Sequence, residues 1–187
     1  MREKRSNHLS ILILEDVRSD AELIQHELRK AKLNFDARCA ESEEEFVSEL
    51  NAATPDVILS DFSLPQFNAL AALEILRERK LQIPFVLVTG SQSEEVAVRC
   101  IKKGADDYIL KESLKRLPSA VLGAIAKRKA ENDREVAEQA LRRSEDYFRT
   151  LIENSSDIIT ILNPKGKILF QSPSIERVLG YRPEELI

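Results

Sequence analysis

Five times in its first 117 or so residues, the chain follows a short apolar run with a segment whose apolar residues recur at helical spacing. The runs are residues 9–14 (LSILIL), 35–40, 57–60, 85–88 and 108–110. The first helix is expected over residues 20–32, with Ile24, Leu28 and Ala31 on one side. Ser42-Glu43-Glu44-Glu45 opens the second, which carries Phe46, Val47 and Leu50. A third is expected over about residues 69–79 and a fourth over 96–103, stopped by Gly104, while Leu114 opens a last one. Strands joined by helices pair in parallel, and a parallel sheet is covered on both faces. Strands 1, 3, 4 and 5 are almost wholly apolar, whereas strand 2 is more polar and suits an edge. The expected fold is therefore α/β, a doubly wound five-stranded parallel sheet in the order 2-1-3-4-5.

In such a sheet, ligands bind at the carboxyl ends of the strands. Glu15 and Asp16 follow strand 1, Asp61 follows strand 3, Thr89 follows strand 4 and Lys111 follows strand 5. Asp61 alone would be ordinary turn chemistry, since Asp commonly opens loops. Five polar residues converging on one rim make a site. The three carboxylates repel one another and require a cation, and their hard oxygens suit Mg²⁺, with the Ser63 backbone carbonyl as a further donor. An anionic group brought there would meet the metal, the Lys111 ammonium and the Thr89 hydroxyl. The chemistry that best uses such a set is phosphoryl transfer to a carboxylate, with central Asp61 as nucleophile and Glu15 and Asp16 as metal ligands.

Over residues 9–127 the sequence resembles the receiver domain of two-component response regulators, whose fold is flavodoxin-like. The match runs through ILILED, ILSDFSLP, VLVTG and GADDYILK. The resemblance implies that Asp61 is a phosphoacceptor served by a histidine kinase or phosphotransfer protein. It also implies that Glu15, Asp16, Asp61 and the Ser63 carbonyl hold Mg²⁺, with Thr89, the small Gly90, Tyr108 and Lys111 as phosphoryl-binding and switch residues. Two departures stand out. Ala69 takes the place of the usual Gly, and Glu112 follows the lysine where the family has a cis-linked Pro. A cis bond before a non-proline residue costs about 2.5–4 kcal/mol, so the Lys111–Glu112 peptide is expected to be trans. The KESLKRL run looks like that of receivers that precede sensory domains.

After Gly123 no Gly or Pro interrupts the chain until residue 164, and residues 127–135 are almost wholly charged. Apolar residues return at Ala137, Leu141, Phe148 and Leu151-Ile152, near heptad spacing but with Ser144 in one core slot. A solvated single helix and a parallel two-stranded coil joining two copies both stay open, the latter with Leu141, Phe148 and Leu151 in its seam. The remaining residues resemble the opening part of a PAS domain. Its leading helix would span 147–153, its strands 158–162 and 168–171, and its short helices 174–179 and 183–186. The expected organisation is a disordered lead-in (1–8), a receiver (9–127), a helical linker (128–145) and the N-terminal part of a PAS domain (146–187), with no assignable PAS ligand.

Composition narrows the function classes. Hydrophobic residues make up 43% and charged residues 32%, which describes an ordinary globular chain. A net charge of −4 argues against a nucleic-acid partner. No apolar run approaches the roughly 20 residues that span a bilayer, and no signal peptide opens the chain, so a cytoplasmic protein is expected. Cys39 and Cys100 read as reduced, packed thiols, and His26 as a solvated helix position. An aspartyl-nucleophile phosphatase is the enzymatic alternative. Such enzymes commonly carry a second acid two residues on, where this chain has Ser63. A phosphorylation-independent interaction module is the third class, and the intact rim argues against it. A signalling phosphoacceptor, not an enzyme acting on external substrates, is the expected function.

Overall fold

Three strands whose residues are nearly all buried form the middle of a five-stranded parallel sheet: β1 (His8–Leu14), β3 (Val57–Ser60) and β4 (Phe85–Thr89). β2 (Asn34–Ala40) and β5 (Asp107–Leu110) are its edges, giving the order β2-β1-β3-β4-β5. This computed structural model describes residues 8–62, 64, 65, 67–90 and 94–186, the side chains of 94–96 excepted. The Ser63 carbonyl and the lead-in up to residue 7 lie outside the described residues, whereas His8 belongs to β1.

Side-chain alternation along the strands builds two cores. Leu12, Leu14, Ile58, Phe85 and Leu87 point to one face, where they meet Phe46 and Leu50 of α2 (Glu43–Ala52) and Leu73 and Leu76 of α3 (Ala69–Glu78). Cys100 of α4 (Glu94–Lys103) joins them. Phe46 and Phe67 pack with ring centroids 5.7 Å apart, a tilted pair that adds to the area both rings bury. Ile11, Ile13, Val57, Leu59, Val86, Val88 and Ile109 point the other way. Ile24 and Leu28 of α1 (Arg18–Lys30) cover them, together with Leu117, Val121 and Ala124 of α5 (Leu117–Asn154).

Helix boundaries follow local chemistry. The Ser42 hydroxyl accepts the Glu45 N–H and the Asn68 side chain accepts the Ala71 N–H, which starts α2 and α3. α1 begins two residues earlier than its apolar pattern suggests and stops at Lys30, with Lys32 in the left-handed region at φ 59°. Ala31 is therefore exposed, and Ala21 joins Ile24 and Leu28 in the core. Residues Lys111–Arg116 form a 3₁₀ turn rather than the start of the last helix, which begins at Leu117. Every described peptide is trans, that between Lys111 and Glu112 included. β5 is apolar but not buried: Ile109 alone faces the core, while Tyr108 and Leu110 are largely exposed, as an edge strand allows. Cys39 is exposed on β2 and not packed, whereas Cys100 is buried.

One buried ion cluster ties the sheet to α5. The Asp106 side chain, just before β5, is 1% exposed and accepts the Phe85 N–H at the start of β4. Arg128 Nε lies 3.0 Å from it and Lys127 Nζ 3.4 Å, and Arg128 also donates to the Gly104 carbonyl at 2.9 Å. Gly104 takes φ 116° in closing α4, a conformation that a side chain would strain.

The chain divides into two compact units, Met1–Glu131 and Asn132–Ile187. In the second, β6 (Thr160–Leu162) and β7 (Ile168–Gln171) pair antiparallel. The Asn163 side chain accepts the Lys165 and Lys167 N–H groups across their turn. α6 (Ser174–Leu179) follows and ends at Gly180 in the left-handed region. A one-turn 3₁₀ segment, Pro183–Glu185, closes the described chain.

Candidate phosphoryl-acceptor site

Strand register brings the rim residues together. Leu14 pairs with Ser60, so Glu15 and Asp61 leave neighbouring strands side by side, and the Asp61 N–H donates to the Leu14 carbonyl at 2.8 Å. Thr89 pairs with Leu110, which sets Lys111 one step beyond it at the same end of the sheet. Parallel pairing thus gathers groups far apart in sequence at one end.

The Lys111 ammonium stands at the centre. Its Nζ donates to Glu15 Oε2 at 2.7 Å, Asp61 Oδ2 at 2.9 Å and Asp20 Oδ2 at 2.6 Å. The Glu15 side chain is 0% exposed, Asp61 16% and Lys111 20%, so these charges interact with little water between them. The second oxygen of Glu15 accepts the Val17 N–H, and the second oxygen of Asp61 accepts the Phe62 N–H at 2.6 Å. Burial pushes the Glu15 carboxyl above the ordinary glutamate range, against the lowering from its Lys111 hydrogen bond. Burial pulls the Lys111 ammonium down, but its bonds to Asp20, Glu15 and Asp61 outweigh that and hold it above the ordinary lysine range. The site therefore holds a permanent positive charge beside a carboxylate.

Asp16 is half-buried and is not one of the acids that hold Lys111. Asp20, which strand-end reasoning omits, is. Thr89 is buried at the end of β4, and Tyr108 is 41% exposed on β5. Among the described residues other than its chain neighbours, nothing lies within 4 Å of where a Cβ at Gly90 would stand. Among the described residues, no group of three or more His, Cys, Asp or Glu side chains is gathered closely enough to cage a metal. Mg²⁺ does not need such a cage, because it keeps several waters and takes one or two carboxylates. Glu15, Asp16 and Asp61 supply hard oxygens of the kind it takes, and one or two of them would suffice.

In the second unit, Leu141, Phe148 and Leu151 are 61%, 59% and 49% exposed. A groove of about 710 Å³ lies between this part of α5 and the segment from Phe170 on, with Leu141, Phe148, Ile152, Phe170, Pro173 and Pro183 in its walls. Among the described residues, no helix is long and apolar enough to cross a membrane.

Comparison with known proteins places these features. The family model "Response regulator receiver domain" matches residues 11–122, and the model "PAS fold" matches residues 146–187. The sensory transduction protein RegX3 of Mycobacterium tuberculosis is 28% identical over 185 residues, covering 91% of this chain and 80% of that protein. The alkaline phosphatase synthesis transcriptional regulatory protein PhoP of Bacillus subtilis is 30% identical over 118 residues, covering 63% of this chain and 48% of that protein. Among solved structures, the receiver domain of the Francisella response regulator 1452 superposes with a TM-score of 0.57 at 24% identity, covering 64% of this chain and 98% of that one. NtrX from Brucella abortus, in its ADP complex, superposes at 0.62 and 22% identity, covering 79% of this chain and 35% of that one. These two likenesses concern the fold. A rim of acids around a strand-end lysine, on a sheet ordered β2-β1-β3-β4-β5, is thus carried by a chain that belongs to the response regulator receiver family of two-component systems and continues into a PAS fold segment.

Proposed function

We propose that this receiver accepts a phosphoryl group on Asp61 from a sensor histidine kinase or a phosphotransfer protein. The observation that carries the reading is the Lys111 ammonium, 2.9 Å from Asp61 Oδ2 and shared with buried Glu15. In the transfer, an Asp61 carboxylate oxygen attacks phosphorus, and the bond from phosphorus to the donor breaks. With histidine as donor, the imidazole nitrogen leaves and takes up a proton. Glu15, Asp16, Asp61 and the Ser63 carbonyl would hold Mg²⁺, which when bound neutralises charge on the phosphoryl oxygens. Lys111 neutralises further charge from the other side. The Thr89 hydroxyl then donates to a phosphoryl oxygen, and Tyr108 turns toward the place it vacates, altering the surface formed by α4, β5 and α5.

The units that follow from this reading are a receiver over 9–127, a helical linker over 128–145 and part of a PAS domain over 146–187. The change passes along α5 toward the PAS segment, and two copies meet through Leu141, Phe148 and Leu151. The chain works in the cytoplasm, away from nucleic acid and membrane. The test is labelling with acetyl phosphate or occupation by beryllium fluoride, followed by intact mass and by metal titration. Wild type is expected to respond only with Mg²⁺ present, and Asp61→Asn not at all. Equal labelling of Asp61→Asn would refute the assignment.

A further inference from the structure

The shortest of the three Lys111 bonds goes to an acid that does not stand at a strand end. Asp20 Oδ2 lies 2.6 Å from Nζ, against 2.7 Å for Glu15 and 2.9 Å for Asp61. Asp20 occupies the first turn of α1, where a carboxylate is favourable without any partner because of the helix dipole. Glu22, two residues on, shows the ordinary outcome: it pairs with Arg18 on the exposed side of the same helix. Asp20 instead reaches across the site to a lysine 91 residues away.

An ammonium has three protons to donate, and here Glu15, Asp20 and Asp61 are its three acceptors. A phosphoryl group arriving at Asp61 brings anionic oxygens that also need this ammonium, so one acceptor has to yield. Glu15 is a poor candidate, because its side chain is 0% exposed and its other oxygen is already held by the Val17 N–H. At 0% exposure it cannot exchange the ammonium for bulk water. Asp61 is the reacting group itself. The Asp20 side chain is 33% exposed and can exchange Lys111 for water.

Resting on the reading of Asp61 as phosphoacceptor, we propose that Asp20 is a positioning residue that holds Lys111 in reserve, so that its release limits the rate of phosphoryl uptake. With acetyl phosphate as donor, an Asp61 oxygen attacks phosphorus, the bond from phosphorus to the acetyl oxygen breaks, and acetate leaves with the negative charge. No proton changes hands, so the balance of charge around Lys111 governs the step. Asp20 enters only as the acceptor Lys111 must leave to meet the incoming oxygens.

The experiment follows uptake by the full chain from acetyl phosphate in excess Mg²⁺, using intact mass, for wild type, Asp20→Ala, Asp20→Asn, Asp20→Glu and Glu22→Gln. Asp20→Ala and Asp20→Asn are expected to take up the group about two- to fivefold faster, the range expected for loss of a partly exposed ion pair. Asp20→Glu keeps a carboxylate within reach and is expected to stay within about twofold of wild type. Mg²⁺ affinity is expected to hold within about twofold and melting temperature to fall by no more than a few degrees in the neutral variants, whereas a merely structural acid would lower stability without speeding uptake. Unchanged or slower uptake in both neutral variants overturns the proposal. So does an equal acceleration in Glu22→Gln, which would make the effect one of general charge. A tenfold loss of Mg²⁺ affinity in Asp20→Asn would make Asp20 a metal ligand and overturn it too. Wild type that takes up no phosphoryl group removes the phosphoacceptor reading itself, an outcome distinct from variants that merely match a labelled wild type.

Discussion

The two units of this chain are held together by opposite means. Up to Glu131, two apolar clusters fill both faces of the sheet, with Phe46, Phe85, Leu59 and their neighbours fully buried. Beyond it, Ile175 is the one buried apolar side chain among the described residues, alongside Gln171, Ser172 and Ser174. Those polar groups bond to one another and to the backbone. The Ser172 and Ser174 hydroxyls lie 2.6 Å apart, Ser174 donates to the Asp157 carbonyl, and Ser172 accepts the Ile159 N–H. Among the described residues, the buried amide nitrogen of Gln171 has no hydrogen-bond partner. Hydrogen bonds fix a conformation but contribute little net free energy, whereas buried apolar area drives folding. The first unit therefore has its own source of stability, and the second is ordered more than it is stabilised.

Point substitutions give the strongest test of that contrast. Phe85→Ala, in the centre of the receiver sheet, is expected to cost about 3–5 kcal/mol. Leu169→Ala, 58% exposed on β7, is expected to change stability by no more than about 0.5 kcal/mol. Urea unfolding followed by circular dichroism reads both, and comparable losses would break the comparison.

Truncation gives a medium-sized effect and sharpens where the first unit ends. A chain ended after Lys127 loses Arg128 and leaves the Asp106 carboxylate, 1% exposed, with Lys127 as its remaining cation. A chain ended after Glu131 keeps both. The shorter one is expected to be less stable by about 1–3 kcal/mol, the cost of a buried polar group left partly unsatisfied. Both are expected to take up phosphoryl groups on Asp61 and to self-associate less than the full chain, which analytical ultracentrifugation measures. Equal stability of the two would show that Arg128 does not belong to the receiver.

The smallest effect is one of pH. The folded chain binds a proton on Glu15 at a higher pH than the unfolded chain, because burial raises that carboxyl. Glu15 therefore subtracts stability at neutral pH, and the penalty fades as pH falls through its folded value. Lys111 has the opposite sense: its contribution is full below the ordinary lysine range and is lost only as pH rises through its raised value. The stability difference between Glu15→Gln and wild type is expected to move in favour of wild type between pH 7 and about pH 4. Movement the other way would refute the burial argument.

Much of the receiver is legible from residue pattern because its constraints are local or symmetrical. Runs such as ILIL and VLVT leave no polar face, so they sit between two layers of helices, and the sheet order follows. Asp61 and Lys111 are legible because strand ends of a parallel sheet meet. Asp20 is not, since a carboxylate in the first turn of a helix already has a sufficient local reason to be there. Its contact depends on the height at which α1 crosses the rim. Tyr108 and Leu110 mislead in the other direction: their apolar character suggests burial, but β5 has a neighbouring strand on one side only. Asp106 carries no mark at all, because its role depends on Arg128 returning along α5 to the base of the sheet.

The ammonium shared by Glu15, Asp20 and Asp61 also bears on the order in which the chain becomes whole. The three acids lie within the first third of the sequence, and the lysine that reconciles them lies 96 residues beyond the first. A growing or partly refolded chain with β1 and β3 paired but β5 not yet added has the repulsion without the remedy. Closing the contact spans nearly the whole receiver and carries the entropy of a long loop. The rim is complete only when the last strand has docked, so the contact of Lys111 with all three acids doubles as a report that the receiver has finished folding.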